Sequence, residues 1–257
     1  MGSIMSNLKK IKLERILEIC CDSVQSAINA QKGGADRIEL CENLAQGGVS
    51  PSAGKIVLAK RKLNIPIFVL IRPRKGDFFF DELEVECMIE NIHQAKALGA
   101  DGIVSGALLK DGRIDEAATA KLIEASRPLP FTFHRAFDRT PKAFEALDVL
   151  IKLGVDRILT SGLAINAKEG FNMIQSLVEK AQGKTEIMAC GSVRPDNIDS
   201  LVNMPGLKEM HSAARKNVKS PVTFFGNAQM GDEALEAEYT WFEVDEQMVR
   251  EMKEKMN

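Results

Sequence analysis

The sequence contains no apolar run close to the roughly 20 residues that a helix needs to cross a bilayer. Residues 1–12 are polar and lack the hydrophobic core of an export signal, so we expect them to be disordered or left over from expression. The sequence also lacks an excess of charge of either sign, because 34 basic residues nearly balance 36 acidic ones and the net charge is −2. We therefore expect no membrane partner and no nucleic-acid partner.

Cysteine patterns that indicate a disulfide scaffold or a structural zinc site are missing as well. The five cysteines are Cys20, Cys21, Cys41, Cys87 and Cys190, and they form neither a Cys-x-x-Cys motif nor a Cys/His cluster. An odd cysteine count in a chain with a large core and no export signal is typical of reduced thiols in the cytosol. The sequence therefore predicts a cytoplasmic protein without structural zinc.

What the sequence does contain is a regular alternation of strand-like and helical segments. Strands are predicted over residues 16–20, 36–41, 65–71, 101–105, 130–134, 156–160, 185–190 and 208–212. Helices are predicted over 23–33, 52–62, 81–98, 115–126, 141–152, 167–182 and 195–203. Eight such units in 257 residues match the usual size of a (β/α)₈ TIM barrel, about 250 residues. We predict one α/β TIM-barrel domain over 1–257, with an open doubly wound sheet as the alternative.

The C-terminal part of the chain is longer than a simple eighth helix requires. We predict an extension over 213–257, irregular to about residue 241 and then an amphipathic helix over 245–256. Such a tail can fold over the barrel mouth or mediate subunit contact, and we expect a homo-oligomer.

Polar side chains occupy the strand faces that should point into the barrel. Residues two apart share a face of a strand, so Glu18 lies with Cys20, and Arg37 lies with Glu39 and Cys41. The same alternation places four further polar residues inside, namely Thr132, His134, Arg157 and Ser161. One interpretation is a set of buried ion pairs, in which the arginines pair with Glu18 and Glu39. The other is a ligand site, because TIM barrels place their active sites at the C-terminal ends of the strands.

Three residues at or near strand ends are candidates for catalysis. Glu39 can act as a general base, and His134 can act as an acid, a base or a ligand. Arg72, between Ile71 and Pro73, can hold an anionic group. His211 ends strand eight and is a further candidate. Together they are compatible with an enzyme acting on a small phosphorylated or carboxylated metabolite by acid/base chemistry.

Two glycine turns are candidates for anion binding. Gly191 and Ser192 lie between strand seven and the next helix, and barrels often bind phosphate in the loops after strands seven and eight. Ser161 and Gly162 add possible donors from the neighbouring loop. A tight turn without any ligand explains the glycine at 191 equally well.

Cys20 and Cys41 have the same inward parity and end adjacent strands. Neighbouring strands lie about 4.8 Å apart, so the two thiols can approach each other. A pair of soft thiolates suits Cu(I) far better than Mg²⁺ or Ca²⁺. The alternative is that each buried cysteine is simply a small hydrophobic residue of the core.

At these residues the chain resembles the CutC family over roughly positions 16–215. The resemblance rests on the order and spacing of EICCDS at 18–23, GGADRIELC at 33–41, IRPR at 71–74, TFHRAFD at 132–138 and LTSG at 159–162. It implies a TIM barrel, a cytosolic location and a role in copper homeostasis. It also implies Cu(I) binding by Cys20 and Cys41. The chain departs from the family at 189–192, where relatives often carry several glycines and this sequence reads ACGS.

Overall fold

Eight parallel strands close into a barrel in the computed structural model, which describes residues 15–229 and 234–257. The strands are β1 Ile16–Cys21, β2 Arg37–Leu40, β3 Ile67–Leu70, β4 Gly102–Ser105, β5 Phe131–Phe133, β6 Arg157–Thr160, β7 Glu186–Ala189 and β8 Glu209–Ser212. Each strand pairs with the next, and β8 pairs back onto β1. The predicted TIM barrel is confirmed, whereas the expectation for residues 1–12 lies outside the described residues.

The helices follow the strands as the sequence predicts. They are α1 Val24–Lys32, α2 Ala53–Lys62, α3 Glu82–Ala97, α4 Glu116–Ser126, α5 Ala143–Lys152, α6 Phe171–Ala181, α7 Ile198–Val202 and α8 Glu246–Met256. Side-chain oxygens of Ser23, Ser52, Asp81 and Asp115 accept N–H groups in the first turns of α1 to α4 and so define where these helices begin. No helix in the described part of the chain is both long and apolar enough to cross a membrane.

The alternation of side chains along the strands separates two apolar regions. Ile19, Ile38, Val69 and their equivalents belong to the large core between the barrel and the helices. The opposite faces fill the barrel lumen, where Cys20 and Cys41 pack with Phe68, Leu70 and Val104. Leu159, Met188 and Cys190 form a second small apolar cluster on the far side of the lumen.

A network of buried charges fills the lower part of the lumen. Arg37 donates from Nε to Glu18 and from Nη2 to Glu209, the latter at 2.5 Å. Arg157 donates to the same Glu209 carboxylate at 2.5 and 3.0 Å. The expected ion pairs therefore exist, but Glu209 takes the place that we assigned to Glu39. The reason is register, since Glu18 lies beside Arg37 while Glu39 lies one layer higher beside Cys20.

A glycine on β4 makes room for the aromatic ring beneath the site. A Cβ atom at Gly102 would lie only 2.5 Å from the Phe68 ring, whose centroid is 4.7 Å from the Arg37 guanidinium. We expect Gly102→Ala to lower the free energy of unfolding by about 1–3 kcal/mol, because the ring is confined in a packed lumen. Urea unfolding would measure this. Gly183→Ala serves as the control, since its Cβ meets no atom within 4 Å, although its positive φ carries a backbone cost.

The C-terminal part is more ordered than the sequence predicts. Instead of an irregular stretch it forms an antiparallel pair, β9 Arg215–Lys219 and β10 Thr240–Val244. Helix α8 then packs between α1 and α7, in the position of the eighth outer helix. It approaches α1 so closely that a Cβ at Gly33 would lie 2.6 Å from Cβ of Val249. The helix therefore closes the outer layer, and Arg215 is the part of this segment that borders the barrel mouth.

Candidate functional site

A cavity of about 290 Å³ opens at the C-terminal ends of the strands. The residues predicted from sequence that line it are Cys20, Glu39, Arg72, His134, Gly191, Ser192 and His211. Cys41 lies just beneath, in contact with Cys20. Ser161 and Gly162 are not part of the lining. The lining also includes two residues that were not predicted as part of the site, namely Arg194 and Arg215.

The two thiols meet at the base of this cavity. The Sγ atoms of Cys20 and Cys41 are 3.6 Å apart, and the Cys20 thiol donates to Glu39 Oε1 at 3.4 Å. Contact with Cys41 and burial raise the pKa of Cys20 well above its ordinary value. Cys20 is therefore protonated at neutral pH until a metal ion displaces the proton.

An imidazole and a carboxylate complete the surroundings of Cys20. The possible ligand atoms of Cys20, Glu39 and His211 all lie within 4.8 Å of one another. Nδ1 of His211 lies 2.8 Å from Oε1 of the buried Glu18, which fixes the ring. Burial opposes protonation of His211, but Glu18 and Glu39 outweigh it and raise its pKa. Burial raises the pKa of Glu39, against the opposing effect of His211.

His134 has one ring nitrogen engaged and one without a partner. Nδ1 accepts the Ala136 N–H at 3.3 Å, so the neutral ring carries its proton on Nε2. Nε2 is buried and has no hydrogen-bond partner among the described residues. Burial and the nearby Arg72 charge lower the pKa of His134 to about 3. At neutral pH the side chain is thus a neutral donor facing the cavity.

The depressed His134 pKa predicts a pH-dependent stability. Between the ordinary histidine pKa and about 3, the folded state binds fewer protons than the unfolded state, so stability falls as the pH is lowered. The contribution of this residue is about 1.4 kcal/mol per pH unit between about pH 6 and about pH 4. In His134→Asn, whose amide oxygen can still accept the Ala136 N–H, urea unfolding should show a shallower slope. An unchanged slope would contradict the assignment.

Most of the hydrogen bonds of the Arg72 guanidinium go to nearby backbone carbonyls. Its Nη1 donates to the carbonyls of Gly47 and Gly48 at 3.2 and 3.0 Å, and Nη2 donates to Gly76 at 2.8 Å. Nε is buried and has no partner in the described part of the chain. The Gly47–Gly48 loop lies over Cys41, since a Cβ at Gly48 would lie 3.7 Å from the Cys41 sulfur. Arg72 therefore positions this loop and offers one N–H to the cavity.

The Ser161–Gly162 turn is an anion site that the protein itself occupies. The Asp138 carboxylate accepts the Ser161 N–H at 3.0 Å, the Leu163 N–H at 3.2 Å and the Thr160 hydroxyl at 2.6 Å. The Gly162 N–H donates to Thr160 Oγ1 at 2.9 Å. These donors are therefore engaged within the protein and do not face the cavity.

The turn after β7 differs, because its donors are open. Gly191 and Ser192 have φ values of +92° and +54°, so consecutive backbone N–H groups form a concave surface. The N–H groups of Gly191, Ser192 and Val193 have no acceptor among the residues that the structure describes. Arg194 follows this turn, and Arg215 reaches the same cavity from β9. In the sequence, the only signals for these residues are that Arg194 follows the turn after β7 and that Arg215 follows β8 at a position of inward parity.

Comparison with known proteins places the chain among homologues. The family model described as "CutC family" matches residues 15–216. The human copper homeostasis protein cutC homolog is 43% identical over 236 residues, covering 91% of this chain and 86% of the relative. A CutC family protein from Chromobacterium violaceum is 40% identical over 246 residues, covering 95% and 99% of the two chains.

Solved structures agree with this comparison. The crystal structure of a CutC protein from Streptococcus agalactiae superposes with a TM-score of 0.74 at 36% identity, covering 77% of this chain and 98% of that one. The QR15 aldolase, at 10% identity and a TM-score of 0.57 over 80% and 92% of the chains, shares the barrel fold alone. From the family match and these homologues, the chain belongs to the CutC family, known for copper homeostasis.

Proposed function

We propose that the protein handles copper by binding Cu(I) between Cys20 and Cys41. The observation that carries this proposal is the 3.6 Å contact between the two sulfur atoms. Thiolates are the soft ligands that Cu(I) prefers, and no other pair of described cysteine sulfurs forms a comparable contact. The proposal also agrees with the name of the human relative, the copper homeostasis protein cutC homolog.

The surroundings of Cys20 support entry of the metal ion and loss of the thiol proton. Cys20 lines the cavity, so an ion can reach it from solvent, whereas Cys41 is fully buried behind it. The Cys20 thiol already donates to Glu39, a carboxylate whose pKa is raised by burial and which is therefore a better base. Glu39 accepts the proton that leaves Cys20 and passes it to solvent through the cavity, and His211 lies within reach as a further ligand.

Binding should depend on pH in a defined direction. Because the pKa of Cys20 is raised, Cu(I) competes with at least one proton at neutral pH. We expect the apparent affinity to rise at least about tenfold per pH unit between about pH 6 and about pH 8. Anaerobic titration against a Cu(I) chelator would measure it, with one ion bound per chain. An affinity independent of pH would contradict displacement of a thiol proton.

We further propose a cytosolic location and self-association. All five cysteines are free and four of them are buried, as expected for a protein kept in reducing conditions. The exposed aromatic side chains of the C-terminal segment, Phe224, Trp241 and Phe242, are candidates for subunit contact. Light scattering coupled to gel filtration would test self-association: a monomer at micromolar concentration would contradict it.

A second function, acid/base chemistry on a small anionic metabolite, is favoured by a different observation. Three buried polar atoms without a partner in the described chain belong to residues lining one cavity: Glu39 Oε2, Arg72 Nε and His134 Nε2. Binding of Cu(I) by two cysteine sulfurs does not explain these three atoms. Buried polar atoms are rarely left without a hydrogen-bond partner, so a ligand that pairs with them is expected. Thermal-shift screening with carboxylated and phosphorylated metabolites should find stabilisation that is reduced in His134→Asn. No stabilisation by any of them would contradict this function.

A further inference from the structure

We infer that the cavity binds a ligand with two anionic groups, and that its phosphate group binds the turn 191–193 together with Arg194 and Arg215. This inference rests on the second function above, and it names the class of ligand. That class is a small metabolite carrying a phosphate at one end and a carboxylate at the other. Three separate features of the described residues support it.

The first feature is the open turn after β7. Its three consecutive N–H groups, from Gly191 to Val193, find no acceptor in the described chain, and all three residues line the cavity. The contrast with the Ser161 turn is informative, because there the Asp138 carboxylate satisfies the equivalent donors. The Asp138 carboxylate occupies the turn after β6, whereas none of the described residues supplies an anion to the turn after β7. A phosphate oxygen would satisfy the open turn in the same way.

The second feature is a group of arginines that have no salt-bridge partner among the described residues. Arg72, Arg194 and Arg215 all line the cavity, and none forms a salt bridge with a described residue. Arg194 donates only to the Met248 sulfur at 3.6 Å through its side chain, and Arg215 stacks on the Phe242 ring at 4.2 Å. Burial and the neighbouring Arg215 charge lower the Arg194 pKa, against the opposing effect of Asp196. A protein with a net charge of −2 has concentrated unpaired cations in one place.

The third feature is a second group of donors on another side of the mouth. His134 follows β5 and Arg72 follows β3, whereas the open turn follows β7 and Arg215 follows β8. In a barrel with strand order β1 to β8, these two groups face each other across the opening. Each of His134 and Arg72 is only 4% exposed and has one unpartnered nitrogen. A ligand held on both sides would span the cavity, whose lining includes Glu39.

The volume restricts the size of the ligand. A cavity of about 290 Å³ lies at the lower end of the range for small-molecule sites, about 300–1,000 Å³. It accommodates a few carbon atoms between two anionic groups and excludes a nucleotide or a lipid chain.

Calorimetric titration of the full chain at low salt would test the inference with four probes, of which malonate carries two carboxylates and no phosphate. 2-Phosphoglycolate carries both groups, whereas inorganic phosphate and glycolate each carry one. We expect 2-phosphoglycolate to bind at least about tenfold more tightly than either single-group probe. Arg215→Gln should weaken 2-phosphoglycolate and phosphate at least about tenfold and leave glycolate unchanged. His134→Asn should weaken 2-phosphoglycolate and glycolate and leave phosphate unchanged.

Lys216→Gln is the matched control, because it removes the neighbouring positive charge, which is half exposed and pairs with Asp245. Melting curves would establish that all variants are folded. Equal weakening by Lys216→Gln would overturn the assignment, since the effect would then be one of general charge. Preference for malonate over 2-phosphoglycolate would overturn the phosphate site and leave the anionic-metabolite function standing. No binding of any of the four anions at millimolar concentration would overturn both.

Discussion

Replacing Cys20 and Cys41 together by serine is expected to weaken Cu(I) binding by on the order of 10⁴-fold. Structural zinc sites with four ligands bind Zn²⁺ with about 10–16 kcal/mol, so each ligand contributes about 3 kcal/mol, and we take the same order of magnitude for a thiolate ligand of Cu(I). Serine keeps the size of the side chain but replaces a soft sulfur by a hard oxygen that Cu(I) does not prefer. Each single variant should show a smaller loss, since one thiolate and His211 remain near the ion.

The chain offers two cysteine controls for this experiment. Cys190→Ser changes a thiol in the same lumen that packs with Leu159 and Met188 instead of with Cys20. Cys87→Ser changes an exposed thiol on helix α3. Both should keep the affinity of the unmodified protein in an anaerobic competition titration. If the double variant binds Cu(I) as tightly as these controls, the two thiols are core residues and the copper proposal fails.

The largest expected loss of stability follows from removing Arg37. Its guanidinium bonds Glu18 and Glu209, and Glu18 is completely buried. Burial alone would raise the pKa of Glu18, but Arg37 and His211 together lower it below its usual range. Arg37→Met leaves these carboxylates without their common partner, and we expect the free energy of unfolding to fall by about 3–5 kcal/mol. Urea denaturation monitored by circular dichroism would measure it.

A compensating variant and a surface control make this prediction specific. Adding Glu18→Gln to Arg37→Met removes one uncompensated charge and should recover part of the loss. Arg113→Met removes one partner of the exposed pair with Asp111 and should change stability by less than about 1 kcal/mol. A loss for Arg37→Met as small as that for Arg113→Met would mean that the network contributes little.

Much of the fold and part of the site could be predicted because strand alternation is a local property. The parity of Glu18, Cys20, Glu39 and His134 along their own strands was enough to place these side chains inside the barrel. The approach of Cys20 and Cys41 followed from the spacing of adjacent strands, and the structure brings the two sulfurs to 3.6 Å.

What could not be predicted depends on distant parts of the chain. The choice of Glu209 over Glu39 as the arginine partner depends on how β8 closes onto β1, a register that neither strand specifies alone. The occupation of the Ser161 turn by Asp138 depends on the short helical segment after β5. The C-terminal strand pair was missed because β9 reads Arg-Lys-Asn-Val-Lys, which is mostly polar and lacks the apolar run of a buried strand.

The most direct test of the copper site is diffraction from anaerobic crystals soaked with Cu(I), recorded on both sides of the copper absorption edge. The account predicts one anomalous peak between the sulfur atoms of Cys20 and Cys41, on the cavity side that faces His211. A peak bound only to other residues, or no peak at a concentration where titration shows binding, would contradict it.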